Sequence, residues 1–321
     1  MATTKKTLIV DSTQIAAFLE CPQAWIYNYR MNIVPRIVEP KEAMMKGSFG
    51  HKLLELYYKR AALGGDLSDR IKSALDHDID KDCNCTCGHS PASHSNLFGN
   101  PMCKLCSGTK DYFHTFEQTK FPLPVPIRQG VIDKFRMYAM TYSMNDFRPH
   151  SAETVEVGFS ERIYEDSEHL FILEGKIDLL GSLGQENIIV DHKFQERAHT
   201  LYKKSIQFRN YSMVTGTKLM VINYIRMSKS ADKPFERALV SFTKEEHFWW
   251  KRQLIDIMFR MIQQVDLASK GLQVDQNWKS CNGQWGKPCD YTDLCEERDN
   301  EAVKLVKIKN NFTKKEEWRP W

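Results

Sequence analysis

The sequence has no long hydrophobic run. Nothing in it approaches the roughly 18 consecutive apolar residues that cross a bilayer, so no membrane partner is expected. No secretory leader is expected either: Leu8-Ile9-Val10 is followed at once by Asp11, too short an apolar stretch for the hydrophobic part of a signal peptide. The expectation is an intracellular, cytoplasmic protein. Neither sign of charge dominates: 45 Lys and Arg against 41 Asp and Glu leave a formal net charge of +4, a balance compatible with a nucleic-acid partner without arguing for one. There is no internal repeat. Nine cysteines are an odd number, which argues against a complete disulfide framework.

What is present is an ordinary soluble composition, 42% apolar and 27% charged over 321 residues, enough for one large domain or two smaller ones. Apolar spacing predicts helices over 12–30, with Ser12 as N-cap, and over 45–63. Residues 66–128 turn polar and rich in cysteine, histidine and glycine, which marks an insertion and a linker rather than core. A helix is expected over 129–145. Segments 154–163, 170–180 and 188–194 are rich in β-formers, and 181–187 reads as the hairpin joining the last two. A helix over 205–213, a strand over 218–227 and a long amphipathic helix over 245–269 complete the core, with Trp249 and Trp250 assigned to its buried side. Residues 271–303 carry the last cysteines, and the basic run 304–315 reads as a solvated tail.

Asp178 closes one strand of the expected hairpin, and Asp191 and Lys193 lie on the other. Strand side chains alternate, so Asp191 and Lys193 share a face and His192 takes the opposite one. A hairpin symmetric about its turn sets 178 opposite 191, and two carboxylates and a lysine then converge. That set suits phosphodiester hydrolysis: carboxylates hold a hard divalent cation that polarises a phosphoryl oxygen and acidifies a water, and a lysine orients the nucleophile. Alone, the spacing is also that of a hairpin with solvated charges. Gln207 and Tyr211 fall on one helical face shortly after the lysine, and His51 and Glu55 form a second such pair after Gly47 and Gly50.

The cysteines group as Cys21, then five between Cys83 and Cys106, then Cys281, Cys289 and Cys295. In a reducing compartment such clusters are metal ligands more often than disulfides. Cys103-Lys104-Leu105-Cys106 with an upstream Cys/His knuckle has the spacing of a structural Zn²⁺ site. Its ligands would be Cys103, Cys106, His94 and either Cys85 or Cys87.

Taken in order, these motifs resemble the RecB-like branch of the PD-(D/E)xK nucleases, including iron–sulfur members of CRISPR-associated and AddB type. They run Phe18-Leu19-Glu20-Cys21-Pro22, Gly47 to His51, Gly175-Lys176-Ile177-Asp178, Asp191-His192-Lys193, Gln207 to Tyr211, and a C-terminal cysteine trio. The resemblance implies an α/β, restriction-endonuclease-like fold whose mixed central sheet is flanked by helices. It further implies Mg²⁺ or Mn²⁺ held by His51, Asp178, Asp191 and the His192 carbonyl, with Lys193 assisting the attacking water. Gln207 and Tyr211 would position DNA, and Glu156 would be a supporting acid. Cys21, Cys281, Cys289 and Cys295 would hold a 4Fe-4S cluster that latches the two ends of the chain. Seven residues separate Cys281 from Cys289 where the tightest family version has two, which leaves zinc open at that site.

The activity implied is a DNA exonuclease acting on single strands or ends, in recombination, repair or phage DNA processing, with a helicase or recombination partner. The alternatives are a structure-specific endonuclease, as in CRISPR spacer acquisition, and a non-catalytic DNA-binding module. The Cys/His insertion resembles modules of phage proteins, which points to a bacterial or phage-infected cell. Tyr27, Tyr29 and Arg30, and Lys203, Lys204 and Arg209 around Gln207, are suited to holding a single strand, the aromatics being equally suited to a core.

Overall fold

The computed structural model describes residues 5–36, 42–76, 94–97, 100–103, 125–195, 202–228, 233–281, 288–297 and 300–316. The chain opens with β1 (Lys6–Val10), α1 (Ser12–Glu20), α2 (Pro22–Trp25), one π-helical turn (Ile26–Arg30) and β2 (Ile33–Pro35). Next come α3 (Glu42–Ala62), α4 (Leu67–Asp76), β3 (His94–Leu97), β4 (Asn100–Cys103) and α5 (Val125–Thr141). The central part is β5 (Arg148–Pro149), β6 (Val155–Glu165), β7 (His169–Leu183), β8 (Glu186–Gln195), α6 (Ile206–Thr215), β9 (Leu219–Arg226) and β10 (Phe235–Ser241). The last elements are α7 (Lys244–Ser269), α8 (Trp278–Cys281), α9 (Thr292–Glu296), α10 (Glu301–Asn311) and β11 (Phe312–Lys314).

The architecture is α/β: a mixed seven-stranded sheet in the order β1-β7-β8-β9-β10, with β5 and β6 on β7, flanked by helices. β1 runs parallel to β7 and β8 parallel to β9, while β7 is antiparallel to β6 and β8. One sheet face packs Leu179, Val190, Phe194 and Val221 against α3, α4 and α5. The other packs Ile177, Ile189 and Ile222 against Phe208 and Tyr211 of α6. At the β1 end, Leu8, Val10, Phe171 and Leu173 pack under α1 and α7.

One detail of register makes the site. Leu173 pairs with Val10 on one edge and Glu161 on the other, and Leu179 pairs with Val190 and Val155. β1 and β8 therefore flank the same edge of β7, one at each end, and residues 174–178 lie in the fork between them.

Several expectations need correcting. The 12–30 helix is broken into three pieces, because Cys21 is extended (φ −158°) and Pro22 restarts the helix. Its N-cap is Asp11, whose side chain accepts from the Gln14 amide, rather than Ser12. The hairpin is tighter than 181–187: only Gly184, at φ +64°, and Gln185 separate β7 from β8. Leu8-Ile9-Val10, too short for a leader, lies in a sheet strand with Leu8 and Val10 buried and Ile9 exposed, and β10 has no counterpart among the expected strands. The start of the expected insertion forms α4, packed on α3 with Ala74 buried. Trp249 is exposed at 58% whereas Trp250 is buried at 7%, so the assignment of both to the core holds for one. The basic run is no solvated tail: it forms α10 and β11, and β11 pairs with β2, setting Phe312 opposite Pro35.

Those last contacts close the chain on itself. Tyr291 donates to the Ile33 carbonyl, Asn277 and Ser280 donate to Glu20 O, and the Gln23 amide donates to Asp275 O. His94 and Cys103 are register partners across β3 and β4. Cys85, Cys87 and Cys106 lie outside the described residues. No described helix is long and apolar enough to cross a membrane.

Candidate active site

The fork in the sheet gathers the acidic residues. The β7–β8 ladder ends at Leu179–Val190, one pair short of Asp178 and Asp191. Where the strands part, the His192 amide donates to Asp178 Oδ2 at 2.7 Å in place of a ladder bond. On the opposite edge, Glu156 falls between the pairs Val155–Leu179 and Val157–Ile177, level with Asp178. Glu156 has φ +59°, a strained conformation for a residue other than glycine, of the kind that collects at functional sites.

His51 comes from α3. Its Nδ1 lies 3.4 Å from Asp178 Oδ2 and 4.0 Å from Glu156 Oε1. One ligand atom from each of His51, Glu156 and Asp178 lies within 4.8 Å of the other two. The helix approaches this closely because residue 50 is glycine: a Cβ there would sit 2.4 Å from the Phe194 ring, whereas Gly47 has open space around it.

Asp191, only 1% exposed, forms an ion pair with Lys193 at 2.8 Å. The two do share a face, while His192 turns the other way and stacks on Tyr58, with rings 9° from parallel. Lys193 Nζ also donates to Gln207 Oε1 (3.3 Å), Gln207 Nε2 to the Tyr211 hydroxyl (2.9 Å), and that hydroxyl to the Lys176 carbonyl. Tyr211 thus donates to a β7 carbonyl at the level of the fork. Lys176 Nζ pairs with Glu156 Oε2 at 2.6 Å.

The electrostatics are those of a site short of positive charge. Burial, then the Glu156 charge, pushes Asp178 up to about 7, and burial pushes Asp191 up to about 6 against the pull of Lys193. Burial lowers the pKa of His51, leaving a neutral imidazole with a lone pair to give; the His192 carbonyl faces the same ring. Burial also lowers Lys193, but the Asp191 charge outweighs it and the ammonium is retained. A neutral histidine, three carboxylates and a backbone carbonyl form a hard, oxygen-rich donor set of the kind that divalent cations take.

Of the residues singled out in the sequence, His51, Asp178, Asp191, His192, Lys193, Gln207 and Tyr211 stand together around the fork. The compact ligand triplet contains Glu156, which the sequence placed only in support, while Asp191 is engaged by Lys193. A network behind the site escaped the sequence altogether. Asn223 Nδ2 donates to His192 Nδ1 (2.8 Å) and lies 3.0 Å from the Tyr138 hydroxyl. Tyr138 and Tyr58 hydroxyls meet at 2.7 Å, and Tyr58 and Arg237 both donate to Asp146 Oδ1 at 2.9 Å. The five residues come from five segments, so no local spacing marked them.

Cys21, Cys281, Cys289 and Cys295 also converge. The Cys289 amide donates to Cys281 O, and burial raises the Cys289 thiol, aided by Cys21 and Cys281. Burial, with Cys21, Cys289 and Cys281 adding, pushes Cys295 up to about 12. Burial likewise raises the Cys281 thiol, aided by Cys21, and thiols held up at Cys281, Cys289 and Cys295 suit a cationic centre that takes thiolates.

Residues 12–94 match the model of the PD-(D/E)XK nuclease superfamily. The matched segment runs from α1 to the start of β3 and contains Cys21 and His51. Among solved structures, the chain is similar to a "Putative exonuclease" from Eubacterium rectale. The identity is 10% over 88% of this chain and 91% of that one, with a TM-score of 0.38. It is also similar to SSO0001, at 13% identity over 42% of this chain and a TM-score of 0.27. The match spans 61% of the length of SSO0001. No curated protein matches the sequence.

Proposed function

We propose that this protein is a Mg²⁺- or Mn²⁺-dependent deoxyribonuclease of RecB-like type, working as an exonuclease on single strands or DNA ends. The observation that carries the reading is the triplet His51, Glu156 and Asp178, with ligand atoms within 4.8 Å, beside the Asp191–Lys193 pair. The superfamily match over residues 12–94 supports it. His51, Asp178 and Glu156 would hold the cation, with Asp191 and the His192 carbonyl beside them. When bound, that cation supplies Lewis acidity to a phosphoryl oxygen and acidifies a water.

The chain's own residues do the rest. Lys193 keeps its proton because Asp191 faces it, so it offers a fixed cation and donor to the attacking oxygen and to charge building on phosphorus. Gln207 holds the lysine from the far side, and Tyr211 anchors Gln207 to β7. Burial of Asp178 and Asp191 keeps bulk water from competing for the same positions.

End-labelled single-stranded, duplex and circular DNA incubated with Mg²⁺ or Mn²⁺ tests the reading. Cleavage of the linear substrates, resistance of circles and full inhibition by EDTA are expected. Cut circles would make the enzyme an endonuclease, and no cleavage of any substrate would leave a non-catalytic binder.

Cys21, Cys281, Cys289 and Cys295 would carry a 4Fe-4S cluster, closing a loop of about 260 residues whose unfolded-chain entropy is thereby removed. The brown colour of anaerobically purified protein, with absorption in the visible blue, is expected to vanish in Cys21→Ser. A colourless, zinc-only preparation would reassign the site. A Zn²⁺ role for the insertion rests on the register of His94 with Cys103. Helicase or recombination partners remain part of this reading by analogy alone.

A further inference from the structure

α6 has two working faces. Gln207 and Tyr211 point to the fork, while Arg209, two residues on and so rotated to the far side of the helix, lies over the Trp250 ring at 5.2 Å. Between α6 and α7 is a cavity of about 190 Å³ lined by Arg209, Phe242, Glu246, Trp249, Trp250 and Gln253. It is smaller than the roughly 300–1,000 Å³ of sites that enclose a small molecule, so it is a shelf rather than a cofactor pocket. Its floor is fixed: Trp250 Nε1 donates to Asn210 Oδ1 at 2.8 Å, and Arg209 Nε donates to the Lys203 carbonyl at 2.8 Å.

The lip is aromatic and open. Phe248 and Trp249, adjacent on α7, are each 58% exposed and pack edge to face at 5.4 Å. Arg252 covers Trp249 at 5.5 Å. Along α7 the rings are neighboured in sequence by Lys244, Lys251 and Arg252 against Glu245 and Glu246, and Lys203, Lys204 and Arg209 lie at the start of α6, with Lys203 reaching Glu246. The Glu246 carboxylate is already occupied, accepting from the Thr243 amide at 2.7 Å and pairing with Lys203 at 3.5 Å. Protein–protein interface cores are depleted in charge. Exposed rings edged by an excess of cations are what single strands use, bases stacking on the rings and phosphates meeting the cations.

We propose that this α6–α7 shelf is a single-stranded DNA site, with bases stacked on Trp249 and Phe248 and phosphates held by Arg209 and Arg252. The inference deepens the nuclease reading by assigning the path of the strand. α6 is about 10 Å across, so the shelf lies a few nucleotides from Lys193, reached past Lys203 and Lys204 at the start of the helix. Duplex DNA keeps its bases stacked on one another and cannot use the rings, so the shelf favours single strands or frayed ends.

The experiment is fluorescence anisotropy of the full chain with a labelled single-stranded dT oligonucleotide and with a blunt duplex, both in EDTA so that nothing is cut. Trp249→Ala is expected to weaken single-strand binding about tenfold, the loss of one stacked base, with Trp249→Phe close to wild type and duplex binding unchanged. Unaltered single-strand affinity in Trp249→Ala overturns the proposal, as does an equal loss for both DNAs. Concentration-dependent self-association abolished by Trp249→Ala, with no change in DNA affinity, would make the shelf a contact between copies and overturn it too. The nuclease reading fails separately: a wild-type chain that cuts nothing with Mg²⁺ or Mn²⁺ yet loses single-strand binding in Trp249→Ala leaves the shelf standing.

Discussion

Asp178→Asn is expected to lower metal-dependent cleavage by on the order of 10³-fold or more while making the metal-free protein more stable above pH 7. Both effects have one cause. Burial and the Glu156 charge raise the Asp178 carboxyl from 3.8 to about 7 in the folded chain. Between those pH values the folded protein holds a proton that the unfolded chain has released. The group's contribution to stability is therefore complete below about pH 4 and is lost as pH rises through about 7. Asp191, raised to about 6, acts in the same direction over a narrower window.

Asparagine cannot ionise and still accepts from the His192 amide. The variant should recover on the order of 4 kcal/mol at pH 8, about 6 °C in thermal midpoint for a chain of this size. Cation binding needs the anionic form, so Mn²⁺ should raise the wild-type midpoint far more at pH 8 than at pH 5 and leave the variant unmoved. Scanning calorimetry with EDTA and with Mn²⁺ measures all of this. An identical Mn²⁺ response in Asp178→Asn would remove Asp178 from the ligand set. Lys193→Ala should lose cleavage comparably and keep the Mn²⁺ response, since the lysine acts on the attacking oxygen rather than on the cation.

Asp146→Ala is expected to destabilise the fold by about 3–5 kcal/mol, the cost of leaving a buried charge without its partner. Its carboxylate accepts from Tyr57, Tyr58, the Phe147 amide and Arg237, and it is 4% exposed beside an arginine that is 12% exposed. Arg237 is otherwise sandwiched between the Tyr142 and Phe147 rings at 3.6 and 3.8 Å. Losing the carboxylate strands that guanidinium. Adding Arg237→Met should cost less than the two single changes together, because the stranded charge goes with it. Urea unfolding of the three variants reads this directly, and strictly additive losses would mean that the pair is not coupled. Tyr58 lies on α3 with His51 and stacks on His192 of β8, so loosening it should also weaken metal binding.

Elements with strong local signals were legible in advance. The 3.6-residue spacing of α3 and α7 and the β-rich runs of β6, β7 and β8 are set by neighbours along the chain, and they were found to within a few residues. Elements decided by remote partners were misread. Leu8-Ile9-Val10 is a strand because β7 offers it an edge, and the basic run 304–315 is ordered because β2 and Tyr27 receive it. Trp249 and Trp250 are adjacent on one helix, and helical phase sets Trp250, not Trp249, on the buried stripe with Leu254, Ile257, Met258 and Met261.

Residue order alone specifies the chemistry available: carboxylates and a lysine at period-two spacing on β-rich segments, a Gln-x-x-x-Tyr face, and thiols grouped as ligands are. Spacing along a strand or helix is fixed by covalent geometry, so these relations survive whatever the rest of the chain does. The tertiary structure decided which of these groups meet. The fork that separates β1 from β8 along β7 exists only in the folded sheet, and it brings Glu156 to Asp178 and draws His51 across from a helix more than a hundred residues earlier. Distances through space between residues far apart in sequence depend on the packing of every layer between them, and no local pattern encodes that sum.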